Sequence, residues 1–148
     1  MSFLLDTNVV SEGMKKLPHP SVLQWLAARP QDLLFLSVLT LGEIRRGILL
    51  LDEGKKRRTL THWLENEIEA DFAGCILSLD GAVMRKWADL QSQAARRGHA
   101  LPVMDGLIAA TALAHDLTLV TRNTNDFRLT GIPIFNPWQT RKAFLGAE

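Results

Sequence analysis

Five short apolar runs recur along the chain, at residues 3–5, 33–36, 76–79, 117–120 and 132–135, and the stretches between them carry helical spacing. Runs this short, apolar and unalternating suit strands buried on both faces. Strands separated by helices pair in parallel through crossovers, so the expected class is α/β with a parallel sheet. Pro133 places the last run near an edge, because proline cannot donate to a ladder. In such sheets ligands sit beyond the carboxyl ends of the strands.

The helical stretches have recognisable ends. A short helix over residues 21–28 is broken by Arg29-Pro30. Residues 37–51 keep Leu39, Ile44, Ile48 and Leu51 at helical spacing, before Gly54 and the basic run Lys55, Lys56, Arg57 and Arg58 interrupt. A helix through Leu60, Trp63, Leu64 and Ile68 follows, then a turn at Phe72-Ala73-Gly74. Asp80 suits an N-cap for a helix to about Arg97, which Gly98 can close in a left-handed conformation. A helix over residues 103–115 has no charge from 106 to 114, so it should be buried nearly all round.

The chain has 148 residues, which suits one compact domain. With 17 basic against 16 acidic residues, net charge does not argue for nucleic acid; local patches must. Cys75 stands alone and excludes an internal disulfide framework, which suits a reducing cytoplasm. No apolar run approaches the roughly 20 residues of a membrane span, and the first residues lack signal-peptide form. The four histidines and one cysteine have no zinc-finger spacing.

Acidic residues mark the boundaries of these elements. Asp6 closes the first run, Glu43 lies in Thr40-Leu41-Gly42-Glu43-Ile44, Asp105 precedes the uncharged helix, and Asp126 follows the fourth run. If the fold gathers them they repel: two carboxylates about 4 Å apart cost roughly 4 kcal/mol at an effective dielectric of about 20. Such a cluster requires raised pKa values or a bound cation. Acidic pockets that hold divalent metals usually serve phosphate chemistry.

Each acid also has a local explanation. Thr40-x-x-Glu43 is a capping-box pattern. Asp105 suits the positive end of its helix, although burial beside so apolar a segment asks for a partner. Asp6 and Asp126 suit turns. Asn8 suits a helix cap, and Glu12 a surface position or support behind the acids. Lys55, Lys56, Arg57 and Arg58 could touch phosphate or form a solvated loop. Arg45 and Arg46 could contact phosphate at the acidic mouth or pair internally. Trp25, Trp63, Trp87 and Trp138 are expected to pack rather than stack on bases.

Taken in order, Leu5-Asp6-Thr7-Asn8, Thr40-Leu41-Gly42-Glu43, the segment from Met104-Asp105 to Ala112, and Thr121-Arg122-Asn123-Thr124-Asn125-Asp126-Phe127 resemble the PIN domain, specifically the VapC/FitB-like toxins. The resemblance runs through almost the whole chain, from Asp6-Thr7-Asn8-Val9-Val10-Ser11-Glu12 to Phe135-Asn136-Pro137-Trp138. It implies a single three-layer α/β/α PIN-like domain over residues 1–148, with a central, mainly parallel sheet. It further implies a cytoplasmic, metal-dependent ribonuclease toxin, normally a homodimer. A cognate antitoxin inhibits it and supplies any contact with DNA.

The family's first three acids match Asp6, Glu43 and Asp105. The fourth falls at Asn123 in some members and just before the aromatic residue in others; the resemblance points to Asp126, with Asn123 as polar support. Oxygen donors favour Mg²⁺ or Mn²⁺. Asp6 and Asp105 are then expected as direct or water-mediated ligands. Glu43 ligates or orients the attacking water, and Asp126 completes the site or holds a second ion. Thr7, Asn8 and Thr121 are supporting polar residues. The alternative is a binding module acting mainly within a DNA-binding antitoxin complex, with little nuclease activity of its own. A haloacid-dehalogenase-like phosphatase is disfavoured, because the second acid it needs two residues after Asp6 is Asn8. A receiver-like phosphoacceptor is disfavoured for want of a partner lysine pattern.

Overall fold

The computed structural model describes residues 1–139; the last nine positions of the expected domain lie outside the described residues. Five strands, β1 (Phe3–Leu5), β2 (Leu34–Ser37), β3 (Ile76–Leu77), β4 (Thr118–Val120) and β5 (Ile134–Phe135), form one sheet in the order β3-β2-β1-β4-β5. All pairings are parallel, with Leu4 opposite both Phe35 and Leu119. Parallel pairing requires each connection to return along a face of the sheet, so helices cover both faces. β5 lies at an edge, as Pro133 required.

Side chains alternate across each strand and build two cores. Phe3, Leu5, Leu34, Leu36 and Val120 join one, with Trp25, Ile44 and Leu64. Leu4 and Leu119 join the other, with Val83, Leu90, Ile108 and Phe127. The result is the expected three-layer arrangement. Trp25 is held edge-on by Phe3, centroids 4.9 Å apart, and stacked on Phe135 at 5.4 Å. Trp63, Trp87 and Trp138 also pack against the cores, as expected.

The helices are α1 (Thr7–Glu12), α2 (Pro20–Ala27), α3 (Val38–Leu49), α4 (Lys55–Trp63), α5 (Glu69–Asp71), α6 (Gly81–Arg96), α7 (Val103–Ala114) and α8 (Thr124–Phe127). A π-helical turn over Leu64–Ile68 joins α4 to α5. Gly106 to Ala112 are buried as their composition required, whereas Val103, Met104 and Leu113 at the two ends of α7 are exposed, so the helix is enclosed only along its middle. Asp80 caps α6 as expected, accepting from the Val83 N–H at 3.0 Å.

Three local expectations are corrected. The basic run from Lys55 is not a loop but the first turn of α4. Asn8 does not cap α1: Asp6 does, accepting from the Thr7 N–H, while Asn8 lies inside the helix. Thr40 and Glu43 form no capping box, because Ser37 caps α3 and Thr40 is buried one turn inside it. In the last two cases the helix is capped by the residue that directly follows or ends its strand, Asp6 after β1 and Ser37 at the end of β2, ahead of the residue the local pattern suggested.

Candidate active site

Parallel topology brings distant residues to one edge of the sheet. Asp6 leaves the carboxyl end of β1, and Thr121 that of β4, with the Asp6 N–H donating to the Val120 carbonyl at 2.9 Å. α3 starts at the carboxyl end of β2 and carries Glu43 in its second turn. α7 precedes β4 and runs back along the sheet, so its first turn, with Asp105, reaches the same edge. Asp6, Glu43, Asp105 and Asn123 thereby line one cleft of about 280 Å³, together with Thr7 and Asn8.

Polar neighbours fix the orientation of two carboxylates. Asp6 Oδ1 accepts from the Thr7 N–H at 2.8 Å. Asp6 Oδ2 accepts from the Thr121 hydroxyl at 2.8 Å and from Asn8 Nδ2 at 3.4 Å. Glu43 Oε1 accepts from the Thr7 hydroxyl at 2.9 Å, which ties α1 to α3 across 36 residues of sequence. Behind them, the Arg122 N–H donates to Asn8 Oδ1 at 3.2 Å, and the Asn123 N–H to the Thr121 hydroxyl at 3.0 Å. The Arg122 guanidinium lies over the Trp138 ring, 4.7 Å from its centroid, which anchors the outer end of this segment.

Asp105 has no such donors among the described residues. Burial pushes its carboxyl above the ordinary carboxylate range, and the charges of Asp126, Asp6 and Glu43, in that order, push it further. Asp105 therefore feels the charges of the other three acids. Asn123 faces the acidic cleft directly, whereas Asp126 faces an adjoining cavity, of which Asp105 is the shared wall. Among the described residues, no three acidic, histidine or cysteine side chains converge closely enough to enclose a cation by themselves. The donors present are hard oxygens, chiefly those of Asp6, Glu43 and Asp105. They match a cation that keeps several of its waters, as Mg²⁺ does.

The other sequence candidates divide. Lys56 lies in an apolar groove that begins at Thr7 and Glu43 and runs between α3 and α4. Arg57 and Arg58 line a separate depression on α4. Arg45 pairs with Glu65 at 3.2 Å and Glu69 at 4.0 Å, the internal role left open for it. Arg46 and Lys55 are exposed outside the cleft. Glu12, read as a surface or supporting residue, is buried; it accepts from the His19 N–H at 2.9 Å and pairs with Lys15 at 2.8 Å. The hydrogen bond from Lys15 holds its carboxyl below the ordinary range. Sequence reasoning did not find Met104 and Ile108, which complete the cleft wall. Apolar residues beside Asp105 carry no sequence signal that separates them from core.

The PIN domain family model matches residues 3–132. The toxin FitB of Neisseria gonorrhoeae is 42% identical over 135 residues, 91% of this chain and 97% of that protein. The VapC ribonuclease Y4jK of Sinorhizobium fredii is 40% identical over 136 residues, 92% of this chain and 97% of that protein. Among solved structures, FitAcB from Neisseria gonorrhoeae superposes with a TM-score of 0.88 at 41% identity, covering 93% of this chain and 99% of that one. A FitAB complex bound to a DNA fragment gives 0.89 at 39% identity, covering 94% and 97%.

Proposed function

The chain belongs to the PIN-domain family, and from that premise we propose that it is a metal-dependent endoribonuclease, the toxin of a toxin–antitoxin pair, acting as a single domain. The observation that carries this reading is the convergence of Asp6, Glu43 and Asp105, from three different elements, on one cleft at the carboxyl edge of the sheet. Relatives bearing the names ribonuclease and toxin support it.

Asp6 and Asp105 would hold Mg²⁺ or Mn²⁺, directly or through water, and Asp126 would complete the site or hold a second ion. When bound, the cation lowers the pKa of a water and offsets the charge that develops on the phosphoryl oxygens. The chain's own residues do the positioning. Thr7, Thr121 and Asn8 hold Asp6 in one orientation, which limits the reorganisation needed when substrate arrives. Thr7 engages Glu43 at Oε1 and leaves Oε2 to orient the attacking water and accept its proton. A cation held there would offset the repulsion borne by Asp105.

A DNA-bound FitAB complex supports a second reading, in which the chain works mainly inside an antitoxin complex that contacts DNA through the antitoxin. In both readings the partner is a cognate antitoxin and the working form a homodimer in the cytoplasm. No helix among the described residues is long and apolar enough to cross a membrane.

The test is cleavage of a mixed RNA pool by purified, antitoxin-free protein in Mg²⁺, Mn²⁺ or EDTA, beside an Asp6→Ala control. Cleavage that requires the metal and Asp6 is expected. Equal cleavage by the control at matched metal concentration refutes the site assignment. No cleavage by folded protein in any metal favours the second reading.

A further inference from the structure

Resting on the ribonuclease reading, we propose that the cavity beside the acidic cleft is a base-reading subsite for one unstacked nucleotide of single-stranded RNA. The cavity measures about 330 Å³ and lies between the end of α6, the loop into α7, and α8. That volume falls in the range of roughly 300–1,000 Å³ typical of small-molecule pockets. Asp105 and Asp126 form one wall, so an occupant lies directly against the proposed reaction centre.

The lining has the chemistry of a nucleotide site. Leu101 and Leu129 supply apolar surface for a ring face, and the carboxamides of Gln93 and Asn125 supply paired donors and acceptors for a base edge. Arg97 and His99 line the same cavity as the acids. Their planar groups can cover a base, and the Arg97 charge can meet a backbone phosphate. Arg97 makes no ion pair among the described residues, whereas Arg45 already has two. An acidic cleft repels RNA, so a basic group on its rim must offset that repulsion.

This wall is built, not draped. Gly98 takes the left-handed conformation, φ 73°, that most side chains resist. Its N–H donates to the Ala95 carbonyl at 3.1 Å and the His99 N–H to the Ala94 carbonyl at 2.9 Å. This double closure of the helix end fixes the backbone that carries Arg97 and His99. Gln91 Nε2 donates to the Leu101 carbonyl at 3.0 Å and fixes the rest of the loop. Single-stranded RNA is read through splayed bases held in this way. A duplex would keep its bases stacked and out of reach.

The experiment maps cut sites in a pool of short randomised single-stranded oligoribonucleotides with Mn²⁺. It compares the wild type, the double variant Gln93→Ala/Asn125→Ala, Arg97→Ala and Asp6→Asn, with binding of the same pool followed by fluorescence anisotropy. The wild type should favour particular bases at one position beside the cut. The amide variant should lose that preference and raise KM about tenfold on the best substrate, with kcat nearly unchanged. Arg97→Ala should weaken all sequences alike and lower the salt slope by about one. An amide variant that keeps wild-type base preference and KM overturns the subsite, while the loss of cutting in Asp6→Asn leaves the nuclease reading standing. A wild type that cuts without base preference overturns it too. A wild type that cuts nothing overturns the nuclease reading instead. In that case equal binding of the pool by the wild type and the amide variant overturns the subsite as well.

Discussion

Replacing Gly106 with alanine should destabilise the protein, although the same exchange inside most helices helps by roughly 1 kcal/mol. Gly106 lies in the first turn of α7, against α6. A Cβ there would stand 2.8 Å from Gln91 Nε2 and 3.3 Å from two atoms of the Trp87 ring. The glutamine amide must move, and it currently donates to the Leu101 carbonyl. That hydrogen bond is worth about 0.5–1.5 kcal/mol net. The Trp87 ring, packed against the core, must shift as well, and overpacking of this kind costs about 1–3 kcal/mol. After subtracting the helix gain, a net loss of about 0.5–3.5 kcal/mol remains, or roughly 1–14 °C in melting temperature for a domain of this size. The assay is thermal and urea denaturation of the wild type, Gly106→Ala, Gln91→Ala and the double variant. Because Gln91→Ala makes room for the new methyl, the double variant should show a coupling above about 0.5 kcal/mol. Cleavage should also fall in Gly106→Ala below its melting range, since Asp105 is the adjacent residue. A Gly106→Ala protein that melts at or above the wild type would refute the close-packing argument.

Two further substitutions probe the cleft. Thr121→Val keeps the shape of a fully buried side chain and removes the hydroxyl that donates to Asp6 and accepts from the Asn123 N–H. It should cost about 1–3 kcal/mol in urea denaturation and weaken Mn²⁺ binding by about 10–100-fold in calorimetry; unchanged metal affinity would show that Asp6 needs no such support. Asp105→Asn should abolish cleavage and, without divalent metal, stabilise the fold, because it removes the repelled charge. For a carboxyl raised in the folded state, stability is highest below the ordinary carboxylate pKa and is lost as pH rises through the raised value. The advantage of Asp105→Asn over wild type should therefore grow with pH across that window, as read by urea denaturation at successive pH values. Glu12, whose carboxyl is lowered, acts in the opposite sense, so the difference between variant and wild type isolates Asp105. A difference that does not change with pH would refute the assignment.

Much of this protein is legible without coordinates, because the relevant forces act locally. Short apolar runs and helical spacing specify strands and helices through burial, and the charge-free segment from 106 to 112 goes inside the molecule. Asp80 and Gly98 mark both ends of α6 through backbone hydrogen bonding that depends on a few neighbouring residues. The order of acids along the chain carried the resemblance to the PIN domain.

Tertiary structure decided what lay between distant residues. The resemblance names Thr7 and Thr121 only as supporting polar residues; the pairing of β1 with β4 and the packing of α1 on α3 decide which acids they hold, Glu43 for Thr7 and Asp6 for Thr121. The capping roles suggested for Asn8 and Glu43 were locally sound, but other residues took those positions, leaving both side chains to long-range partners. The cavity of Gln93, Arg97, His99 and Asn125 has no sequence signature, because its walls come from segments about 30 residues apart. The raised pKa of Asp105 likewise belongs to no segment. It arises from burial and from three charges that only the parallel crossovers gather at one edge of the sheet. A local pattern determines what each segment is; the field at a point depends on which segments meet there.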